Sequence, residues 1–249
     1  MEIIRVAHLD HRFVEGPGAV GDVTFDVAEG ELTVIAGANG SGKTTLLRHL
    51  NGLLIPQRGA VSVCGQSVKA DPVAARRRVG LVFQDADSQI VGETVYDDVA
   101  FGPENLCLAR PEIDRRVKQA LAAVELTGLE ERRPYHLSGG EKRRLAIAGV
   151  LAMAPRVMLL DEPFSNLDYP STCRVLEQLL SLHRQGHTLI ITTHDLEKVI
   201  AHARRLIVMA KGRIVADGSP AVTIVDIQRY GIRPPCSVQL GQGIRPWVN

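Results

Sequence analysis

One short segment constrains the fold of this chain more than any other. Residues 37–44 read Gly-Ala-Asn-Gly-Ser-Gly-Lys-Thr, which fits the pattern G-x-x-x-x-G-K-[ST] of a loop whose backbone N–H groups hold a phosphate chain. The apolar run 32–36 before the loop predicts a buried strand, and Leu46, Leu47 and Leu50 after it predict one face of a helix. Because strand, glycine-rich loop and helix N-terminus together form an anion site, this interpretation is favoured over a flexible Gly-Ser turn.

The loop also predicts the chemistry of its ligand. Lys43 brings a point charge to the β- and γ-phosphates of a nucleotide, and the Thr44 hydroxyl is placed to ligate Mg²⁺. The glycines allow the backbone to pass close to the phosphates. Phosphoryl transfer needs negative charge to be held and neutralised, and these residues supply the means.

The composition is that of an ordinary globular protein. Of 249 residues, 45% are apolar and 23% are charged, and the length suits one large domain or two small ones. The net charge of +1 gives no global field that would favour nucleic acid or anionic lipid. No apolar run approaches the ~18–20 residues of a membrane span, and no signal-peptide pattern is present. The four cysteines form no C-x-x-C pair, so we expect a reduced, cytosolic protein without a zinc site or disulfides.

The order of predicted elements indicates an α/β fold. Residues 1–35 alternate short apolar stretches with turn signals, such as the Gly-Pro-Gly at 16–18, which predicts antiparallel strands. The pattern over about 94–154 is helical, and from 156 onward strands and helices alternate, which predicts a parallel sheet covered by helices. The predicted strands are 59–65, 79–83, 157–160, 188–192 and 206–209, and the predicted later helices are 171–184 and 196–203.

Two acids end one predicted strand. Val157 to Leu160 is apolar, and Asp161 and Glu162 follow at the edge where α/β sheets bind ligands. Asp161 can hold Mg²⁺ through water, and Glu162 can orient and deprotonate an attacking water. The alternative, two solvated acids at a strand end, is less favoured after a phosphate loop.

A second anion site is predicted at residues 137–141, Leu-Ser-Gly-Gly-Glu, which precede an apolar helix. Ser138, Gly139 and Gly140 with the helix N-terminus can bind a phosphate. Taken alone, the same segment is also consistent with an ordinary helix cap, since Ser is a common N-cap residue.

Other candidate residues each have an alternative. His194 ends the strand that starts at Thr188, which favours phosphate contact over a purely structural role, and Gln84 ends another strand but also suits a surface amide. Phe13 can stack on adenine or belong to the core. The basic runs 76–78 and 142–144 are interpreted as solvated faces rather than nucleic-acid sites.

Taken in order, these segments resemble ATP-binding cassette (ABC) ATPases over about residues 3–220. The signature segment 137–141 separates that family from other phosphate-loop proteins, and residues 165–168 (Ser-Asn-Leu-Asp) match a further motif. Residues 83–106 and 146–152 are similar to energy-coupling factor (ECF) transporter ATPases, a group that includes the cobalt, nickel and biotin uptake ATPases. The departures are Glu141 for the usual Gln, Phe13 for the usual Tyr, and Phe164-Ser-Asn-Leu-Asp168 for Thr-Ala-Gly-Leu-Asp.

The resemblance implies a fold and its divisions. The expected fold class is α/β, a P-loop NTPase (RecA-like) core with an N-terminal antiparallel β subdomain and an inserted α-helical subdomain. The ABC ATPase domain would span residues 1–230, with the helical subdomain at about 85–154. Residues 231–249 would form a short C-terminal extension.

The resemblance also implies cofactors and site residues. Two ATP molecules, each with Mg²⁺, would lie between two subunits arranged head to tail. The residues expected to contact ATP are Phe13, Asn39, Gly40, Ser41, Gly42, Lys43, Thr44, Thr45 and Asp168, with Ser138, Gly139 and Gly140 supplied by the other subunit. The catalytic residues would be Glu162, His194 and Gln84, and the Mg²⁺ ligands Thr44, Gln84 and Asp161.

The implied partners place the chain at the cytoplasmic face of a membrane as a peripheral subunit. They are a second ATPase subunit (another copy or a paralogue), a transmembrane coupling protein and a substrate-binding membrane protein, with no nucleic acid. The implied function is ATP hydrolysis that drives uptake of cobalt, nickel or a vitamin such as biotin. The alternative is the ATPase subunit of another ABC transporter. An ABC ATPase of DNA or ribosomes would be expected to carry a coiled-coil insertion or a second cassette, and a P-loop kinase would lack the signature segment.

Overall fold

The computed structural model describes residues 1–13 and 19–248, and the predicted turn at 16–18 lies outside them. The strands are β1 (Glu2–Arg12), β2 (Ala19–Ala28), β3 (Leu32–Ala36), β4 (Arg58–Val63), β5 (Gln66–Ser67), β6 (Val79–Val82), β7 (Val157–Asp161), β8 (Thr188–Thr193), β9 (Arg205–Ala210) and β10 (Arg213–Gly218). The helices are α1 (Lys43–Leu50), α2 (Pro72–Arg78), α3 (Val95–Asn105), α4 (Arg110–Ala123), α5 (Gly139–Ala152), α6 (Tyr169–Arg184), α7 (Pro220–Thr223) and α8 (Cys236–Gln239).

The strands form two sheets. One is antiparallel and four-stranded, in the order β2-β1-β4-β5, and the other is six-stranded, in the order β10-β9-β3-β8-β7-β6. Strands β9, β3, β8, β7 and β6 are parallel neighbours, and β10 adds an antiparallel edge. The α/β fold class with an antiparallel β part and inserted helices is confirmed.

The prediction of antiparallel strands over residues 1–35 was wrong for its last strand. β3 lies inside the six-stranded sheet and pairs in parallel with β8 and β9. All five of its residues are buried, as expected for a strand covered on both faces.

Alternate residues of the six-stranded sheet enter two separate cores, because successive side chains of a strand point to opposite faces. Leu159 and Ile190 pack with the antiparallel sheet and α1. Leu160 and Ile191 pack with the helices α3 to α6. The sheet therefore separates a phosphate-loop side from a helical side.

The predicted helix 196–203 was wrong. Only a 3-10 turn at Ile200–His202 forms between β8 and β9. The Asp195 carboxylate accepts hydrogen bonds from the Glu197 backbone N–H and from Lys198, which holds the start of this short connection in a turn.

The tail after residue 230 packs against the domain and contains the short helix α8. The backbones of Arg233 and Asp195 form an isolated parallel β-bridge, next to His194. The Trp247 ring contacts Tyr169 with centroids 5.2 Å apart, and Lys198 Nζ lies 5.8 Å from its centroid. Within the described residues, no helix combines the length and apolar character needed to cross a membrane.

Candidate active site

The loop between β3 and α1 is shaped by its glycines. Gly40 and Gly42 have φ of +77° and +103°, in the left-handed region that favours glycine. A Cβ on Gly37 would lie 2.3 Å from Ser41 Oγ and 2.6 Å from the Met209 carbonyl oxygen, so no side chain fits there. Helix α1 has no side-chain cap and no acidic residue in its first turn, which leaves its N-terminal N–H groups available to an anion.

Lys43 is buried beside this loop. Its ammonium donates hydrogen bonds to the carbonyl oxygens of Gly37 (2.7 Å) and Ala38 (3.3 Å), and lies 3.5 Å from Glu162 Oε1. The positive charge is therefore held at the mouth of the loop, where a phosphate chain would need it.

Asp161, at the end of β7, uses both carboxylate oxygens. Oδ2 accepts a hydrogen bond from the Thr44 hydroxyl and Oδ1 one from the Thr192 hydroxyl, each at 2.6 Å. Among residues 1–13 and 19–248, no group of three or more His, Cys, Asp or Glu side chains is arranged to hold a metal. The hydroxyl and carboxylate oxygens at the loop nevertheless fit Mg²⁺, which usually takes few protein ligands beside water and phosphate.

Glu162 is buried and has φ of +48°, unusual for a residue with a side chain. Its backbone N–H donates to the carbonyl (3.1 Å) and hydroxyl (3.2 Å) oxygens of Thr192, which hold this conformation. Glu162 Oε1 lies 3.0 Å from His194 Nδ1 and has no aligned hydrogen bond, so it retains acceptor capacity. Backbone strain of about 1–3 kcal/mol at such a residue is typical of functional sites.

One cavity of about 310 Å³ brings most of the predicted residues together. Its lining is Asn39, Gly40, Ser41, Gly42, Lys43, Thr44, Thr45, Gln84, Asp161 and Glu162. The half-exposed His194 borders it through Glu162.

Ser138, Gly139 and Gly140 do not line this cavity. Ser138 and Glu141 form a reciprocal capping box at the start of α5, and the hydrogen bond from the Ser138 N–H lowers the pKa of Glu141. A Cβ on Gly140 would lie 2.3 Å from Ser171 Oγ, and the Asp168 carboxylate accepts from the Ser171 N–H at 3.0 Å. The second predicted anion site therefore lies beside Asp168, separate from Lys43.

Phe13 is 38% exposed, so it is not a core residue. Its ring meets His11 edge-on at 4.7 Å, and His11 meets His49 of α1 at the same distance. Phe13 does not line the 310 Å³ cavity, and its adenine contact stays a prediction.

The interpretation of residues 142–144 as a solvated face was wrong. Arg143 and Arg144 are 4% and 6% exposed, because each guanidinium donates to backbone carbonyls of another segment. Lys142 pairs with Asp87 at 2.6 Å. In the other basic run, Arg76 donates to the Gly52 carbonyl at 2.9 Å.

Sequence reasoning also missed Thr192, which contacts both acids. A polar residue at the carboxyl end of an apolar strand, in a sheet that carries Asp161, is a usable signal for it. The carbonyl partners of Arg143 left no such signal, because they depend on tertiary packing.

An apolar groove of about 380 Å³ lies between α3, α5 and the segment after β6. Phe101, Val91 and Leu53 are 53%, 61% and 46% exposed and line it. Asp98 at its base accepts hydrogen bonds from the N–H groups of Val91 and Gly92, and burial raises its pKa. An exposed apolar surface of this kind is typical of a contact site for another protein.

Known proteins resemble the chain over most of its length. The family model for ABC transporters matches residues 20–165. The energy-coupling factor transporter ATP-binding protein EcfA of Methanocaldococcus jannaschii is 43% identical over 231 residues, 92% of this chain and 83% of that protein. The cobalt import ATP-binding protein CbiO of Rhodobacter capsulatus is 44% identical over 244 residues, 96% of this chain and 87% of that protein.

A solved structure also resembles the chain over most of its length. The structure of cbiO1 from Clostridium perfringens, part of the ABC transporter complex cbiONQ, matches with a TM-score of 0.83 at 33% identity, over 97% of this chain and 99% of that one. The chain therefore belongs to the ABC transporter family and is an ATP-binding subunit of the energy-coupling factor type, an ATPase.

Proposed function

We propose that this ATPase drives an importer by ATP-dependent dimerisation and takes up a transition metal ion, cobalt or nickel, or a vitamin such as biotin. The observation that carries the proposal is the separation of two half-sites. Lys43, Thr44, Asp161 and Glu162 share one cavity, while Ser138 lies outside it. Because one chain does not close around its own nucleotide, a second subunit completes the site.

Hydrolysis in this arrangement begins with Glu162 as general base. The free acceptor capacity of Oε1 suits it to take a proton from an attacking water, and His194 orients the carboxylate from 3.0 Å. Lys43 neutralises charge on the transferred phosphate. Thr44, Gln84 and Asp161 would hold Mg²⁺, which supplies charge neutralisation at the phosphate oxygens when bound.

Mixing two inactive variants tests the shared site. In Lys43→Ala the phosphate loop is disabled, and in Ser138→Arg the signature segment is blocked. A mixed dimer has one intact site, built from the loop of the second variant and the signature segment of the first. We expect the mixture to hydrolyse ATP faster than either variant alone, with wild type as the positive control. No recovery, in a preparation where wild type is active, would contradict the head-to-tail dimer.

The 380 Å³ groove is proposed to receive a helix of a transmembrane coupling protein, which would place the chain at the cytoplasmic face of the membrane. Its exposed Val91 and Phe101 supply apolar contact, and both follow Gln84 along the chain. We expect Phe101→Asp to abolish co-purification with the membrane partners while ATP binding remains. Val222→Asp is the control, since Val222 is 74% exposed on α7 and does not line the groove.

The proposed solutes are inferred from similarity to named transporter ATPases, so they are tested separately. Cells that carry the membrane partners with either the wild-type chain or Glu162→Gln would be supplied with labelled cobalt, nickel and biotin. We expect one of them to accumulate only with the wild-type chain. Accumulation of none would favour the alternative, an ABC transporter ATPase for a different solute. A substrate-binding membrane protein among the co-purified partners would support the ECF arrangement.

A further inference from the structure

A buried arginine connects two parts of the chain. One is α5, the signature helix, which begins within the signature segment 137–141. The other is the glutamine segment, residues 83–87, which contains Gln84. Arg143, in the second turn of α5, donates from Nη1 to the Phe83 carbonyl oxygen at 2.6 Å and from Nη2 to the Gln84 carbonyl oxygen. The adjacent Lys142 adds an ion pair to Asp87 at 2.6 Å. Two consecutive cations of α5 therefore hold residues 83–87.

The two ends of this connection face different nucleotides in the proposed dimer. Gln84 lines the cavity of its own Lys43. Ser138, the N-cap of the helix that carries Arg143, faces the ATP of the other subunit. Arg143 lies five positions after Ser138, about 7.5 Å at the helical rise, so the two move together as a rigid unit.

The chemistry favours a positioning role over a stabilising one. The guanidinium keeps its charge when buried, and its planar fork fixes two carbonyls in one geometry. Phe83 is half-buried and Gln84 is exposed, so water can replace the arginine at these carbonyls. Loss of Arg143 would release the position of Gln84 more than it would unfold the domain.

We propose that Arg143 is a positioning residue that couples the two nucleotide sites, by fixing Gln84 of one site to the signature helix that completes the other. The inference rests on the proposed dimer. When ATP draws Ser138 toward the partner, Arg143 moves Gln84 with α5, so binding at one site prepares the other.

Arg144 provides a matched control. It lies on the same helix, is buried to the same degree, and donates to two backbone carbonyls, of Val124 (2.9 Å) and Glu125 (3.0 Å). Those carbonyls belong to the residues directly after α4 and not to residues 83–87. An effect that comes only from burying an arginine would appear in both Arg143→Gln and Arg144→Gln.

The test measures ATP hydrolysis against ATP concentration for wild type and both variants. For wild type we expect a Hill coefficient above one. For Arg143→Gln we expect it to fall to about one, with affinity for a fluorescent ATP analogue within about twofold of wild type. Arg144→Gln is expected to keep the wild-type Hill coefficient even if its melting temperature falls. Arg143→Lys keeps the charge but lacks the planar fork, so its Hill coefficient should lie between those of wild type and Arg143→Gln.

Two results would overturn the inference. One is an unchanged Hill coefficient in Arg143→Gln or, if that variant does not fold, in Arg143→Lys. The other is an equal loss of cooperativity in Arg144→Gln. The mixing of Lys43→Ala with Ser138→Arg separates this failure from failure of the dimer itself, because recovery there shows shared sites whatever Arg143 does.

Discussion

The hydroxyl of Thr44 donates a hydrogen bond of 2.6 Å to the Asp161 carboxylate, joining the first turn of α1 to the end of β7. These oxygens belong to segments far apart in sequence, and both are ligands that Mg²⁺ accepts. We expect Asp161→Asn to raise the Mg²⁺ concentration needed for half-maximal ATP hydrolysis at least tenfold, because the negative charge that would hold Mg²⁺ is lost. A Mg²⁺ titration of ATPase activity measures this. Asp22→Asn, at an exposed site in the antiparallel sheet, serves as control.

Glu162→Gln removes the proposed base and keeps the shape of the side chain. We expect ATP turnover to fall by about 10²–10⁴-fold, the usual contribution of a general base. Because the variant still binds ATP, it should accumulate as a dimer in the presence of ATP, measurable by size-exclusion chromatography. Turnover near the wild-type rate would remove Glu162 from its assigned role.

Thr192→Val deletes the hydroxyl that bonds to both acids without changing the size of the residue. The Asp161 carboxylate and the Glu162 N–H lose a buried partner, so we expect about 1–3 kcal/mol of lost unfolding free energy. Turnover should also fall because the acids lose their alignment. Thr192→Ser keeps the hydroxyl and should recover turnover, and equal kinetics for Val and Ser would contradict the positioning role. Denaturant unfolding and steady-state kinetics measure the two effects.

A pH-dependent loss of stability is expected from His49, which is fully buried against His11. Burial lowers the pKa of His49 to about 4, with the charge of His11 acting in the same direction. As the pH falls, His49 of the unfolded chain therefore binds a proton near pH 6.5, whereas His49 of the folded chain binds it only near pH 4. Stability is retained above pH 6.5 and falls by about 3 kcal/mol toward pH 4.

His49→Phe keeps an aromatic ring in the same position and removes this titration. The difference in unfolding free energy between wild type and variant should change between pH 7 and pH 4.5 in favour of the variant. A difference that is independent of pH would contradict the assignment. The pKa values of His187 and His202 are also lowered by burial, and their contributions cancel because both residues are present in wild type and variant.

The phosphate loop and the strand that ends in Asp161 could be predicted from the sequence, because local spacing determines both. The turn at 196–203 could not, because apolar spacing does not show that its backbone closes short turns, such as that from the Ala203 N–H to the Ile200 carbonyl oxygen, in place of a continuous helix. The burial of Arg143 could not be predicted either, since the carbonyls that accept its hydrogen bonds come from a segment about 60 residues away. The site was predictable where one strand or loop carries it, and unpredictable where tertiary contacts between segments carry it.

Side chains of the six-stranded sheet alternate between two cores, and this affects how the sequence of the protein can evolve. Leu159 and Leu160 are neighbours in sequence, yet one supports the phosphate-loop side and the other the helical side. Substitutions of core residues on the helical side need not disturb the packing of the core beneath the phosphate loop. The sheet thus allows the interior packing of its two sides to diverge separately, while the contact of Arg143 with the Gln84 carbonyl still joins them.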